Sequence, residues 1–267
     1  MPVSASPVSA SPVSASPVSA STGPAPTRPA AQHLVIRYAK RGKMRFASHR
    51  DVARAFERGV RMAGLPIAYS AGFTPHPKIS YPGGAPTGVA SQAEYLSLAL
   101  TDRQAETQVC QRLNAALPDG IDVIDVTEFE GGSGGASPGA RTLFGHLEAS
   151  EWEVVLPGVG PAAAGRAVAE FLARDEAPVE RLTDKGVRRF DARAAVLEMS
   201  VSERAAAIGS EDCAILRMVV LHTAPAVRPE DVVTALRGQD GIAPSSPPMT
   251  TRLAQGPRAL LAGKGTS

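Results

Sequence analysis

Residues 46–84 read FASHRDVARAFERGVRMAGLPIAYSAGFTPHPKISYPGG and join a capped basic helix to a loop rich in proline and histidine. Ser48 and Asp51 have capping-box spacing: the hydroxyl accepts an orphan amide of the first turn while the carboxylate reaches back. The helix is therefore predicted to begin at His49. Val52, Ala55, Phe56, Gly59, Val60 and Ala63 recur with a period of about 3.6 and form one stripe to be buried. Arg50, Arg54, Arg58 and Arg61 occupy the rest of the surface. Gly64 suits a left-handed C-cap, and Pro66 prevents the helix from continuing.

Working outward, a strand at 34–40 (LVIRYAK) precedes this helix, and strands at 67–70 (IAYS), 78–81 (KISY) and 94–100 (EYLSLAL) follow it. A second helix is predicted over 101–117, opened by a capping box of Thr101 and Gln104, and then a strand over 121–129. Strand, helix, strand, strand, helix, strand is the order of a ferredoxin-like sandwich, in which helices cover one face of an antiparallel sheet. The order recurs with a strand at 151–158, a helix at 161–175, strands within 177–201 and 213–223, a helix at 228–238 and a strand at 249–254. Pro229 fits the first helical position there, and Glu230 and Asp231 suit the positive end of the helix dipole. The expected fold is α+β: two tandem ferredoxin-like (βαββαβ) sandwiches, 32–130 and 146–255.

Between them, GGSGGASPGARTLFG (131–145) has the composition of a flexible linker. The chain opens on MPVSA and three copies of SPVSA, whose prolines exclude helix and whose small side chains bury too little surface to offset ordering entropy. Residues 1–31 are therefore expected to be disordered. They lack the basic start and apolar centre of a secretory signal. Residues 256–267 read as a frayed C-terminal tail.

The net charge of +2 conceals a polarised chain. Residues 37–84 hold ten basic side chains, among them Lys43, Arg45 and Lys78, against Asp51 and Glu57, a net of +8. Residues 94–130 hold eight acids against Arg103 and Arg112, a net of −6. A patch of one sign attracts polyanions such as RNA, or an acidic protein, although a charge run on one helix is also what a solvated face looks like.

Two cysteines, Cys110 and Cys213, allow neither a disulfide framework nor a zinc-knuckle spacing, which fits a reducing cytoplasm. No apolar run is long enough to span a membrane. Residues His33, His49, His76, His146 and His222 contain no i, i+4 pair, so no metal site is expected, and no sequence feature calls for a cofactor. Neither a Gly-rich phosphate loop with a basic anchor nor a nucleophile beside its base is present.

SHRDVARAFERGVRMAGLPIAYSAGFTPHPKISY, then PTGVASQAEYLSLAL and LNAALPDGIDVID, resembles the radical-SAM-linked domain family, a family of unassigned function. The resemblance covers about residues 34–255 and rests on Ser48, His49 and Asp51, on Gly72 to Lys78, and on Glu94–Tyr95; TDKGVRRFDAR (183–193) matches more loosely. The chain departs from the family pattern at Arg50, where leucine is usual, and at Thr74, where asparagine is. The resemblance implies association with radical SAM proteins and a genomic neighbourhood of ribonuclease E/G and ribosomal proteins. The chain cannot itself be the radical enzyme, because such an enzyme needs three clustered cysteines to hold its cluster.

Three functions follow. The first is a non-catalytic module or adaptor that binds RNA or a ribonucleoprotein through Lys43, Arg45, Arg50, Arg54, Arg58, Arg61 and Lys78, with Phe73 and Tyr69 placed to stack on bases. The second is a protein-only accessory subunit of a radical SAM enzyme or ribonuclease. The third is a metal-independent endoribonuclease in which His49 and His76, with Asp51, serve as acid and base. Against the third, a lone histidine is more often structural.

Overall fold

A computed structural model describes residues 28–129, 144–183, 186–202, 206–208, 211–237 and 242–262. The disorder expected of 1–31 falls outside them except at its end, where Arg28 pairs with Asp102 at 3.1 Å and the Ala31 amide donates to the Leu100 carbonyl. The linker expected over 131–145 likewise lies outside them apart from its last two residues.

The first half runs β1 (Gln32–Lys40), a 3-10 turn (Gly42–Phe46), α1 (His49–Met62), β2 (Ile79–Ser80), β3 (Ala90–Leu100), α2 (Glu106–Ala116) and β4 (Ile121–Glu128). The second runs β5 (Ala149–Pro157), α3 (Pro161–Ala173), β6 (Pro178–Thr183), β7 (Gly186–Asp191), β8 (Val196–Val201), β9 (Ala206–Ile208), β10 (Glu211–Leu221), α4 (Pro229–Leu236), β11 (Met249–Gly256) and α5 (Arg258–Leu261).

Helix α1 forms as its sequence dictates. The Ser48 hydroxyl accepts the Asp51 amide, and the Asp51 carboxylate accepts the Ser48 amide, both at 3.2 Å. The stripe from Val52 to Ala63 is buried, with Phe56 wholly enclosed and set edge-on to Tyr38 at 4.7 Å between ring centres. Gly64 closes the helix at a φ of +58°, a conformation that costs glycine nothing.

Helix α2 starts later than its spacing suggests. The Thr101 hydroxyl is shared between Asp102 and the Pro66 carbonyl, the Gln104 amide donates to Gln32 Oε1 instead of to Thr101, and the Gln104 side chain binds the Arg103 carbonyl and Arg112, so neither side chain caps the helix. The segment 67–70 contributes only isolated bridges, Ile67 to Leu100 and Tyr69 to Pro77, because prolines at 66, 75 and 77 deny it a ladder of donors.

The strands form one sheet in the order β4-β1-β3-β11-β5-β10-β8, with β2 also on β3 and β9 also on β10; β6 and β7 make a separate hairpin. The strands of the two halves thus join in a single sheet. The chain is a mixed α/β protein with one large, mostly antiparallel sheet and five described helices. Its halves are fused by a short parallel contact, Thr251 and Arg252 of β11 beside Ala90 and Ser91 of β3. One apolar core packs Leu34, Ile36, Leu96, Leu98 and Leu100 under α1 and α2, and another packs Trp152, Leu156, Leu216 and Met218 with Phe171 and Val232. Of the C-terminal segment 256–267 read as frayed, Arg258–Leu261 form α5, which buries Leu261 against Ala149 and Val219, and 263–267 lie outside the described residues.

Candidate functional site

The four arginines of α1 stand at i, i+4, i+8 and i+11, so they follow one another along one side of the helix. All four are exposed. Arg54 lies 4.0 Å from Asp51, and among the described residues Arg50, Arg58 and Arg61 have no acidic partner. Lys43, on the 3-10 turn, is exposed as well.

Two other cations assigned to this patch do not belong to it in the same way. Arg45 uses its Nε to bind the Gly88 carbonyl at 2.6 Å and stacks over Phe46, which fastens the turn to the approach of β3. Lys78 is exposed just before β2, whose first residue Ile79 packs against the core under α1. Its charge also depresses the His33 pKa, secondary to burial of that ring.

The two candidate histidines have different surroundings. His49 sits edge-on to Tyr81, ring centres 5.4 Å apart, while His76 is exposed and its amide donates to Ser70 Oγ. Among the described residues no hydrogen bond, ion pair or ring contact joins His76 to His49. Asp51 is spent on the cap, and the hydrogen bonds from Ser48 hold its carboxyl below the usual carboxylate range. Phe73 projects from the loop, 92% exposed.

What the fold assembles is a different group, at the seam of the sheet. Leu100, Leu98 and Leu96 alternate along β3 on the helix-covered face, and the next place in that row is taken by Glu94, 2% exposed. Glu94 Oε1 accepts Arg252 Nη1 of β11 at 3.0 Å, and Oε2 accepts the Ala85 amide at 2.9 Å. Lys40, 3% exposed, donates to the Ala85 carbonyl at 3.2 Å. The carboxylate and the ammonium thus grip the same peptide segment from two strands. Gly84 passes between His49 and Glu94, where a β-carbon would lie 3.4 Å from the His49 Nδ1 and 3.5 Å from the carboxylate.

Arg252 also lies over the Trp152 ring, 4.7 Å from its centre, and its Nε is buried with no acceptor. Burial lowers its pKa, opposed by Glu94. Nearby, His222 Nε2 is 2.7 Å from Ser150 Oγ and its Nδ1 2.6 Å from the Leu147 carbonyl oxygen. Two adjoining cavities, of about 240 and 250 Å3, share Gly84, His222 and Arg252 in their walls.

Sequence reasoning marked Glu94 as part of a family signature without giving it a role; the break in the leucine row was its signal. Arg252 carried no local signal, since only the pairing of β11 with β3 gives it a partner. Among the described residues no three of His, Cys, Asp or Glu are grouped to hold a metal ion, and no helix is long and apolar enough to cross a membrane.

A protein family described as "Uncharacterized protein conserved in bacteria (DUF2344)" matches residues 33–229. No curated protein matches the chain. Solved structures similar to it include an unknown protein from Galdieria sulphuraria, at 13% identity over 77% of this chain and 89% of that one, with a TM-score of 0.22. Another is a DypB variant from Rhodococcus jostii RHA1 in complex with heme, at 11% identity over 89% and 96%, with a TM-score of 0.22. Likenesses of that size carry no argument about fold or ligand.

Proposed function

The chain belongs to the DUF2344 family of proteins conserved in bacteria, and on that premise we propose that it is a non-catalytic module that binds RNA or a ribonucleoprotein through α1. The observation that carries this reading is the row of exposed arginines at 50, 54, 58 and 61, four cations that outnumber the one acid in their row, Glu57, and of which only Arg54 comes within 4.0 Å of a carboxylate, Asp51. Cations left unpaired on a rigid helix can neutralise phosphates without first breaking internal ion pairs. Lys43 extends the row. Phe73, 92% exposed on the loop between α1 and β2, offers a bare ring for stacking on an unpaired base.

We read the halves as duplicated ferredoxin-like units, on the ground that β4-β1-β3-β2 and β11-β5-β10-β8 repeat one spatial order. The resemblance to radical-SAM-linked proteins makes a radical SAM enzyme or a ribonuclease of the cytoplasm the partner class to which such a module would deliver its RNA. The nuclease reading is the less favoured one, because Asp51 is held in the cap and among the described residues no contact joins His76 to His49.

The test is RNA binding as a function of salt. The log–log slope should fall by roughly 0.7 for each phosphate neutralised on a single strand, and replacing Arg54 and Arg58 by alanine should weaken binding and flatten that slope. Binding no tighter than that of a neutral control protein at low salt would overturn the RNA reading and leave the row of arginines to an acidic protein partner.

A further inference from the structure

The arginine row of α1 has an exposed apolar side chain at each end: Phe46, 66% exposed, just before the helix, and Met62, 68% exposed, at its last residue. Single apolar residues are ordinary on a protein surface. What sets Phe46 apart is how firmly its ring is held.

The 3-10 turn that carries Phe46 is latched at two points to the approach of β3. Arg45 Nε donates to the Gly88 carbonyl at 2.6 Å, and the Gly88 amide donates back to the Arg45 carbonyl at 2.8 Å. Held in this way, the Arg45 guanidinium lies over the Phe46 ring, 5.4 Å from its centre. A cation on one face fixes the ring by its quadrupole and leaves the rest of the side chain open to solvent. Phe73 is more exposed, yet among the described residues no ring or cation contact fixes it. A flat π-surface that is already in place loses little freedom when another ring settles on it.

Arg50 follows Phe46 by four residues, so the two lie no more than about 14 Å apart, and the row from Arg50 to Arg61 runs for roughly 16 Å along the helix. A strand whose phosphates follow the row therefore brings a base within reach of the ring. We propose that Phe46, backed by Arg45, is a stacking platform for an unpaired base at the N-terminal end of α1, and that the ligand of the arginine row is single-stranded RNA. The proposal rests on the RNA reading of α1 and adds to it the state of the strand and a residue that selects it. Bases of a duplex are already stacked on one another and leave only phosphate contacts to the protein, whereas unpaired bases can be splayed onto an aromatic ring.

The full-length protein is titrated into fluorescein-labelled oligouridylate and into a labelled RNA duplex of matched length, and anisotropy is followed over a series of salt concentrations. Phe46→Ala should weaken binding of oligouridylate about tenfold, the loss of one stacked base, and leave binding of the duplex as it was. No charge is removed, so the salt slope should match that of the wild type. Phe46→Trp should keep the affinity, and the emission it adds to that of the buried Trp152 should be quenched as oligouridylate binds. Circular dichroism checks the fold of both variants. Unaltered affinity for oligouridylate in folded Phe46→Ala, an equal loss with the duplex, or an unquenched Phe46→Trp would each overturn the stacking proposal and leave the RNA reading standing. Failure of the wild type to bind oligouridylate would overturn it as well, and failure with both RNAs would remove the RNA reading too.

Discussion

Glu94 and Arg252 stand 158 residues apart in sequence and meet at 3.0 Å across the one parallel contact of the sheet. With side chains 2% and 10% exposed, the pair is paid for in desolvation on both sides. Its gain is therefore one of specificity. β11 contacts β3 through only two residue pairs, and an ion pair that tolerates no slip fixes where the second half docks on the first.

Removing one partner should be much worse than removing both. Glu94→Gln leaves Arg252 and Lys40 buried without a carboxylate and is expected to cost about 3–5 kcal/mol. The double variant Glu94→Leu with Arg252→Met should recover most of that loss. Denaturant titration of the two variants checks it, and equal losses would mean that the pair lies in a more solvated setting than the fold indicates.

Helix α1 offers a direct comparison of its two faces. Phe56→Ala empties a wholly enclosed site beside Tyr38 and should cost about 3–5 kcal/mol. Arg54→Ala, on the exposed side, should stay within about 0.5 kcal/mol. Urea unfolding of both proteins decides the matter, since comparable losses would reverse the assignment of faces.

These contrasts mark how far the sequence can be read. Helix α1 was legible to the residue because its cap, its stripe and its terminating glycine are all local signals, each within four residues of its partner. The false cap at Thr101 used the same spacing but lost to tertiary partners, Pro66 and Gln32, that no local rule contains. The single sheet was hidden for a similar reason: element order specifies each half, whereas the contact of β11 with β3 depends on residues at 90–91 and 251–252. Lys78 was grouped with the α1 cations because net charge along a segment takes no account of position in the fold, where its charge acts on His33 of β1.

The cap itself can be weighed. Ser48→Ala removes the acceptor for the Asp51 amide and leaves the carboxylate only the Ser48 backbone to bind, so a loss of about 1 kcal/mol is expected. Ser48→Asp should retain most of the stability, because aspartate caps as well as serine does, although its charge beside Asp51 takes back part of the gain. Thermal unfolding of the three proteins at neutral pH should rank them wild type, Ser48→Asp, Ser48→Ala; any order in which the alanine variant is the most stable would discard the cap as a source of stability.

Acid should weaken the seam through His222. Its pKa is lowered chiefly by burial and further by the charge of Arg252, with the Leu147 carbonyl opposing both. The folded chain therefore resists protonation that the unfolded chain accepts near the ordinary histidine value of about 6.5. Stability is full above that value and declines as pH falls from it through the lowered folded pKa. His33 shifts in the same direction, from burial and the nearby Lys78, and adds to the decline. His222→Gln removes one contributor while keeping a side chain able to bond Ser150, so its melting temperature should fall less steeply than that of the wild type between about pH 7 and pH 5.5. Identical slopes for the two proteins over that interval would show that His222 titrates as it does in the unfolded chain.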